Sequence, residues 1–228
     1  MPERSTLRQV INSLLPTGMH SLLSPYYGRR RVRFQQDWAA RTNDSDSRRP
    51  DQYTELDRKT FLLADCVERY AGKDRRVLDL CCNCGRNLVE LWNRGYRDLH
   101  GVDVNPNAIE YSKTCAPQIQ KDAELVASPV EEFLSRTRDK SFDVTISRGT
   151  SIEYVAPDYP LVREICRVTR GFCMLLLQPA ADPYPRLWPY EFRRQGFALV
   201  EYRYYAHGNN DIHCFASPEA LKELEKVP

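Results

Sequence analysis

The fold is indicated first by the stretch Val77-Leu-Asp-Leu-Cys-Cys-Asn-Cys-Gly-Arg-Asn87. Its apolar start predicts a buried strand, and the amphipathic residues from Asn87 to Trp92 predict the helix that follows the turn. Gly85 lets the backbone approach a ligand closely, and the unpaired N–H groups at the start of a helix favour a carboxylate or phosphate. This strand, turn and helix therefore predict a site for a ligand with an anionic group.

Strands and helices alternate through most of the chain. Apolar runs predict strands at 76–81, 99–104, 124–128, 142–147 and 172–177, and the segments between them predict helices at 87–92, 108–119, 130–135 and 159–168. Further helices are predicted at 55–70 and 190–195, and further strands at 198–205 and 212–216. Near-continuous apolar strands that alternate with helices are typical of a doubly wound parallel sheet. We therefore predict an α/β fold with a mostly parallel seven-stranded sheet, an antiparallel C-terminal hairpin strand, and an N-terminal helical or loop extension.

The composition is typical of a globular protein with one main domain. The chain has 228 residues, of which 42% are hydrophobic, and its net charge of +2 does not indicate a nucleic-acid partner. Residues 1–54 lack the alternation of strands and helices, so we predict an extension there and a single domain over residues 55–228. The absence of a long apolar run and of a signal-peptide pattern at the N-terminus favours a cytoplasmic location, where the eight cysteines stay reduced.

A second polar residue closes the next predicted strand. Asp103 follows Gly85 at about the offset at which an acidic side chain reaches a ribose diol. Ligands of doubly wound sheets bind beyond the carboxyl ends of the strands, where the strand order reverses. The two features together predict a ligand that contains a nucleoside.

Over roughly residues 56–217 the sequence resembles the class I S-adenosylmethionine methyltransferases. Their first motif runs Val-Leu-Asp-Leu-Gly-Cys-Gly-x-Gly, and residues 77–85 are similar to it, with Cys81 and Asn83 in place of two glycines. The resemblance implies that Asp79 supports the cofactor's methionine ammonium and that Asp103 holds the ribose hydroxyls. A dinucleotide-binding fingerprint has no aspartate at the position of Asp79.

The resemblance also implies the remaining walls of the cofactor site. Val104 is expected to pack on the adenine. The edge of the adenine is expected to be flanked by Ser128, Pro129 and Val130. The sulfonium end is expected to be lined by Ser147 and Arg148. Cys81, Asn83 and Gly85 are expected to bind the cofactor from the motif loop, with Cys81 beside the methionine moiety. S-adenosylmethionine is therefore the expected cofactor.

Candidate catalytic residues follow the fourth predicted strand. Tyr154 has the position at which many members of the family contact the acceptor, and Glu153 precedes it. Methyl transfer needs in-line positioning, and it needs a base only when the nucleophile must lose a proton. Either residue suits these roles, although Tyr154 is equally expected to pack on helix 55–70. His207, on the loop predicted between the last two strands, is a third candidate.

By the same resemblance, residues 1–54 are expected to form a lid over the cofactor and the acceptor. Candidate lid contacts are Trp38, Tyr53, Tyr26 and Tyr27. The run Arg29-Arg-Arg-Val-Arg33 is interpreted as a solvated basic turn, with an anionic acceptor or an anionic membrane surface as alternatives. Apolar residues beside it make residues 10–33 a candidate for peripheral membrane contact.

We therefore predict transfer of a methyl group to an oxygen or nitrogen of a small-molecule or glycan acceptor, which the basic run allows to be anionic. The alternative is a non-catalytic methyltransferase-like binding or regulatory protein, because two glycines of the motif are replaced. An NAD(P)-linked oxidoreductase is disfavoured because the Gly-x-Gly-x-x-Gly spacing is absent. Nucleic acid is disfavoured as a substrate. Cys81 and Cys84 lack a second ligand pair, so no metal is predicted.

Overall fold

The structure is a computed structural model that describes residue 14 and residues 24–149, 152–178, 184–207 and 210–226. Its strands are β1 (Val77–Leu80), β2 (Leu99–Asp103), β3 (Ala123–Ala127), β4 (Phe142–Arg148), β5 (Thr169–Leu177), β6 (Ala198–His207) and β7 (Asn210–Ala216). Its helices are α1 (Ser24–Ala39), α2 (Arg58–Tyr70), α3 (Arg86–Asn93), α4 (Pro106–Cys115), α5 (Val130–Arg136), α6 (Leu161–Val168), α7 (Trp188–Arg194) and α8 (Pro218–Leu224). Short 3₁₀ turns lie at Pro50–Tyr53, Pro117–Ile119 and Ile152–Tyr154.

The strands form one sheet in the order β3-β2-β1-β4-β5-β7-β6. Strands β1 to β5 pair in parallel, and β7 lies antiparallel between β5 and β6. The predicted fold class is therefore confirmed. The chain leaves β1 towards β2 on one side and later returns to β4 on the other, so a crevice opens at the carboxyl end of β1.

The central strand β1 is buried on both faces, as its apolar sequence predicts. Leu78 and Leu80 pack in the core that includes α5, α6 and α7, whereas Val77 packs in the core that includes α2 and α3. Side chains of a strand alternate between its faces, so Asp79 points to the same side as Val77. A fully buried aspartate at an otherwise apolar strand position is costly unless it has a function.

One predicted helix is shorter in the structure, and one helix of the structure was not predicted. The helix predicted at 108–119 ends at Cys115, because Pro117 has no N–H to donate and disfavours helical backbone at Ala116, whose φ and ψ are −137° and 52°. Helix α8 was not predicted, although Ser217 caps it by accepting a hydrogen bond from Ala220 N and Pro218 occupies its first turn.

The helix α1 confirms the helical part of the N-terminal extension. The boundary at residue 54 stays a prediction. Within the described ranges, every helix is too short or too polar to cross a bilayer. Most of the predicted membrane-contact segment, residues 10–33, lies outside the described residues.

Candidate cofactor and acceptor site

A cleft of about 840 Å³, including its open mouth, lies at the carboxyl edge of the sheet. The predicted site residues that line it are Cys81, Asn83, Asp103, Val104, Pro129, Val130, Arg148 and Tyr154. They come from the segments after β1, β2, β3 and β4, as expected for a doubly wound sheet. Residues from the N-terminal extension and from the start of α3 complete its walls.

The loop after β1 keeps the backbone shape that glycines usually provide. Cys81, Asn83 and Gly85 have φ values of 62°, 51° and 87°, all in the left-handed region. This conformation costs a side chain such as that of Cys81 roughly 1–2 kcal/mol, whereas asparagine tolerates it better. Asn83 Oδ1 also accepts a hydrogen bond from Cys84 N at 2.9 Å, which stabilises the turn. The replaced glycines therefore leave the path of the motif intact.

Gly85→Ala tests this backbone requirement. A Cβ at Gly85 would lie 3.3 Å from Ile119 Cδ1, and φ would stay positive. We expect the free energy of unfolding to fall by about 1–2 kcal/mol, as measured by urea denaturation. Gly72→Ala is the control, because its φ is not positive and its Cβ would meet only the flexible Asp74 side chain. Equal stabilities of the two variants would contradict the requirement.

Asp79 lies behind the wall of the cleft. Its Oδ2 accepts a hydrogen bond from Asn87 Nδ2 at 3.1 Å, but its Oδ1 and the Oδ1 of Asn87 are buried without a partner. Burial raises the pKa of Asp79 to about 7. Asn87 itself lines the cleft. Two unmatched acceptors at this position suit a cationic hydrogen-bond donor, such as an ammonium group.

Asp103 presents a fixed carboxylate to the cleft. Its Oδ2 accepts a hydrogen bond from Asn83 N and its Oδ1 accepts one from Asn105 N, both at 2.9 Å. Burial raises the pKa of Asp103, and these backbone N–H groups oppose the rise. Each carboxylate oxygen keeps lone pairs for further donors. The arrangement suits a pair of neighbouring hydroxyl groups.

Arg86 supplies a cation that was not predicted. It begins α3 directly after Gly85, and its guanidinium lies over the Tyr53 ring, 5.4 Å from the centroid. Among the described residues no carboxylate forms an ion pair with it. Burial, together with the nearby Arg148 guanidinium, lowers the pKa of Arg86. A partly buried guanidinium at a helix N-terminus suits a carboxylate ligand.

Arg148, at the end of β4, is held by the segment before α2. Its Nη2 donates to Asp57 Oδ2 and its Nη1 donates to Thr60 Oγ1. Burial alone would raise the pKa of Asp57, but hydrogen bonds from Thr60 N and Arg148 lower it to about 2. Arg148 is therefore a paired cation, unlike Arg86.

Helix α1 crosses the mouth of the cleft. The Phe34 ring stacks on Tyr154 with centroids 4.3 Å apart, so Tyr154 contacts α1, whereas its packing on the predicted partner helix, now α2, stays a prediction. Gln35 Nε2 donates to Glu131 Oε2 at 3.3 Å, and the predicted lid residues Trp38 and Tyr53 also line the cleft. The side chains of Tyr26 and Tyr27 lie outside the described part of the chain.

The loop after α1 is tied to the loops after β1 and β2. Asn105 Nδ2 donates to Arg41 O at 3.1 Å and Asn107 Nδ2 donates to Ala39 O at 3.2 Å. The Cys84 thiol donates to Tyr53 O at 3.3 Å. The extension is therefore fastened to the same loops that line the cleft.

Several predicted site residues do not line the cleft. Ser147 is buried and its Oγ donates to Leu80 O, because its side chain faces β1. Ser128 Oγ donates to Pro129 O, and Gly85 forms the N-cap of α3. Glu153 is fully buried and accepts a hydrogen bond from Gln178 N at 3.0 Å, so it faces β5 instead.

The candidate His207 differs in position from its prediction. It is the last residue of β6 and pairs with Asn210, so it does not lie in a long loop. Its side chain lies outside the described part of the structure. The cleft residues that the sequence did not predict are Phe34, Gln35, Cys82, Arg86, Asn87, Glu131 and Val155. Only Cys82, Arg86 and Asn87 had a local signal, since they belong to the motif turn.

Sequence comparisons with known proteins find similarity to methyltransferases. A family model described as a methyltransferase domain matches residues 77–171. The eEF1A lysine and N-terminal methyltransferase homolog of Drosophila melanogaster is 26% identical over 110 residues, which cover 45% of this chain and 15% of that protein. Its counterpart in Drosophila pseudoobscura pseudoobscura is 26% identical over 135 residues, which cover 51% and 19%. The chain spans less than a fifth of the length of these relatives.

Solved structures show the same fold. A TehB-like SAM-dependent methyltransferase from Corynebacterium glutamicum has a TM-score of 0.56 and 18% identity, with coverage of 85% of this chain and 98% of that chain. The Burkholderia thailandensis 1,6-didemethyltoxoflavin-N1-methyltransferase, solved with bound S-adenosylhomocysteine, has a TM-score of 0.58 and 17% identity, with coverage of 73% and 81%. The resemblance seen in the motif after β1 is confirmed. The chain has the fold of the class I S-adenosylmethionine-dependent methyltransferases, and the methyltransferase-domain family model matches its residues 77–171.

Proposed function

We propose that this chain transfers a methyl group from S-adenosylmethionine to an oxygen or nitrogen of a small-molecule or glycan acceptor. The observation that carries the proposal is the match between the unsatisfied groups of the cleft and the two charged ends of the cofactor's amino acid. Asp79 and Asn87 offer acceptors to its ammonium, and Arg86 offers a guanidinium to its carboxylate. Asp103, whose carboxylate is fixed by two backbone N–H groups, supports binding of the ribose hydroxyls.

The cofactor supplies an electrophilic methyl group on a sulfonium. The chain's own contribution is to bind, to orient and to exclude water. Phe34, Trp38, Tyr53 and Tyr154 give the cleft an aromatic wall on the side of α1. Tyr154 is the residue we assign to positioning the acceptor, since it lies at the cleft and Glu153 does not.

The covering helix favours a small acceptor. Contacts of Phe34 with Tyr154 and of Gln35 with Glu131 hold α1 across the mouth. A small molecule can be enclosed behind these contacts, whereas a protein chain needs them displaced. A protein amine is the second candidate, because the two Drosophila relatives are named for lysine and N-terminal methylation.

Titration calorimetry with S-adenosylmethionine and S-adenosylhomocysteine tests cofactor binding. We expect both to bind, and we expect Asp103→Ala to weaken binding by about 10- to 100-fold, since hydrogen bonds to a charged group contribute roughly 1.5–3 kcal/mol. Asp98→Ala is the matched control, because Asp98 directly precedes β2, at the amino end of the strand that Asp103 closes. The proposal fails if folded wild-type protein binds neither compound, or if both variants bind equally well.

Turnover separates the enzyme from the non-catalytic alternative. Protein incubated with methyl-labelled cofactor and a cell extract should place label in compounds of low molecular mass. Label in the protein fraction would favour the protein-amine candidate. Tight cofactor binding without label in any fraction would favour the binding or regulatory protein.

A further inference from the structure

Arg186 is a buried cation with an incomplete set of partners. The residue lies just before α7 and is 5% exposed. Its Nη2 donates to Val155 O at 2.6 Å, and its guanidinium lies 5.6 Å from the centre of the Trp188 ring. Its Nη1 is buried and donates a hydrogen bond to none of the described residues.

No carboxylate among the described residues forms an ion pair with Arg186. One carbonyl and one aromatic face compensate a buried guanidinium poorly, because the charge has lost its water and gained no opposite charge. Buried arginines of this kind are normally paired with an oxyanion. An anionic ligand would supply the opposite charge that the Arg186 guanidinium lacks among the described residues.

The position of Arg186 points to the acceptor rather than the cofactor. The groups that the proposed function assigns to the amino-acid and ribose parts of the cofactor belong to β1, β2 and the start of α3, on one half of the sheet edge. Arg186 follows β5 and binds the turn after β4, on the other half. Val155, whose carbonyl it binds, lines the cleft beside Tyr154. Arg186 therefore adjoins the part of the cleft that the cofactor does not need.

A second buried polar atom is unsatisfied on the same half of the edge. Asn210 is fully buried at the start of β7, and its Nδ2 donates to Leu177 O at 3.2 Å. Its Oδ1 accepts a hydrogen bond from none of the described residues. Unsatisfied polar atoms therefore recur on the β4, β5 and β7 half of the sheet edge, beside the half to which the cofactor is assigned.

We propose that the acceptor of this enzyme carries a carboxylate or another oxyanion that binds Arg186, while its methyl-accepting atom faces the cleft beside Tyr154. The inference rests on the proposed function and narrows its substrate class. It assigns anion recognition to a buried residue of the domain and not to the basic run at Arg29–Arg33. A purely structural Arg186, which only ties the turn after β4 to the start of α7, is the competing interpretation.

Anion binding to the full-length protein loaded with S-adenosylhomocysteine tests the proposal. The probes are benzoate, phenyl phosphate and the neutral benzamide, each titrated at constant ionic strength. Tryptophan fluorescence reports binding, because Trp188 lies beside Arg186, and the melting temperature gives an independent readout. We expect benzoate or phenyl phosphate to bind and to raise the melting temperature, and benzamide to do neither. Benzoate and phenyl phosphate compared directly show whether the site prefers a carboxylate or a phosphate.

Arg186→Met should weaken binding of the preferred anion by at least about tenfold, as expected for loss of a charged hydrogen-bond donor. Arg186→Lys, which keeps the charge, should retain part of the affinity and guards against a folding artefact. Arg193→Met is the control, since Arg193 is exposed on α7. Affinity for S-adenosylhomocysteine, measured on the same samples, shows that each variant is folded.

The proposal is overturned if wild type and Arg186→Met bind the anions equally, if benzamide binds as well as benzoate, or if wild type binds no anion. Each of these results leaves S-adenosylhomocysteine binding intact and thus spares the proposed function. Failure of the folded wild type to bind S-adenosylhomocysteine would instead overturn the proposed function. Anion binding could then still be measured on the protein without S-adenosylhomocysteine.

Discussion

Asp79→Asn is expected to weaken S-adenosylmethionine binding by about 30- to 100-fold at pH 8, as judged from the roughly 2–3 kcal/mol of a charged hydrogen bond. The asparagine keeps an oxygen for Asn87 Nδ2 but loses the negative charge that the proposed function assigns to the cofactor's ammonium. The free protein should become more stable at the same pH, because a buried carboxylate is replaced by a neutral amide. Calorimetry and urea unfolding on the same samples measure the two effects.

The pH dependence follows from the raised pKa of Asp79. In the unfolded chain this carboxyl loses its proton near 3.8, and in the folded chain it does so near 7. Between these values the folded state binds a proton that the unfolded state has lost, so stability falls as pH rises through this window. The full effect above pH 7 is on the order of 4 kcal/mol at most. The asparagine variant should lack this fall.

Cofactor affinity should follow the opposite trend. The ammonium needs the ionised carboxylate, so affinity of the wild type should rise as pH increases through about 7. Asp98→Asn serves as the control for changes in net charge alone. A flat pH profile in the wild type, or a variant that binds as tightly as wild type at pH 8, would exclude the assigned role of Asp79.

Arg86→Met is expected to lower S-adenosylmethionine affinity by about 10- to 100-fold, since its guanidinium lines the cleft without an ion pair to any carboxylate of the described residues. The methionine chain can still pack on Tyr53, so stability should change little or increase. The decisive ligand is 5′-methylthioadenosine, which lacks the amino-acid group of the cofactor. Arg86→Met should bind this compound like wild type, whereas Asp103→Ala should bind it weakly.

The control for this variant is Arg97→Met, because Arg97 stacks on Trp92 outside the cleft. Equal losses of affinity for S-adenosylmethionine and 5′-methylthioadenosine would show that Arg86 acts on the loop as a whole rather than on the carboxylate. Unchanged affinity for both compounds would exclude Arg86 from the site.

The strands were predictable because parallel strands are buried on both faces and therefore read as apolar runs. The alternation of strands and helices also predicts which edge of the sheet holds the site. It predicts that the loops after β1 and β2, next to Asp79 and Asp103, lie side by side at that edge. Where a strand ends is set by tertiary contact. Ser147 and Arg148 are the last two residues of β4, so their side chains alternate, and Ser147 faces β1 while Arg148 faces the cleft.

Contacts between distant segments were not predictable from local patterns. Phe34 reaches Tyr154 across the cleft, and Asp57 reaches Arg148 from the start of α2. No spacing rule links such pairs in a single sequence. Arg186 illustrates the same limit, because its burial arises from packing of the segment before α7 and not from any motif around it.

The unmatched charges at Asp79 and Arg86 have a consequence for the protein in the cell. A ligand that completes their partners stabilises the folded chain in proportion to its saturation of the site. Small differences in folding free energy change steady-state abundance through degradation of the unfolded fraction. The cellular level of this protein should therefore rise and fall with the supply of the proposed cofactor, even when synthesis of the protein is constant.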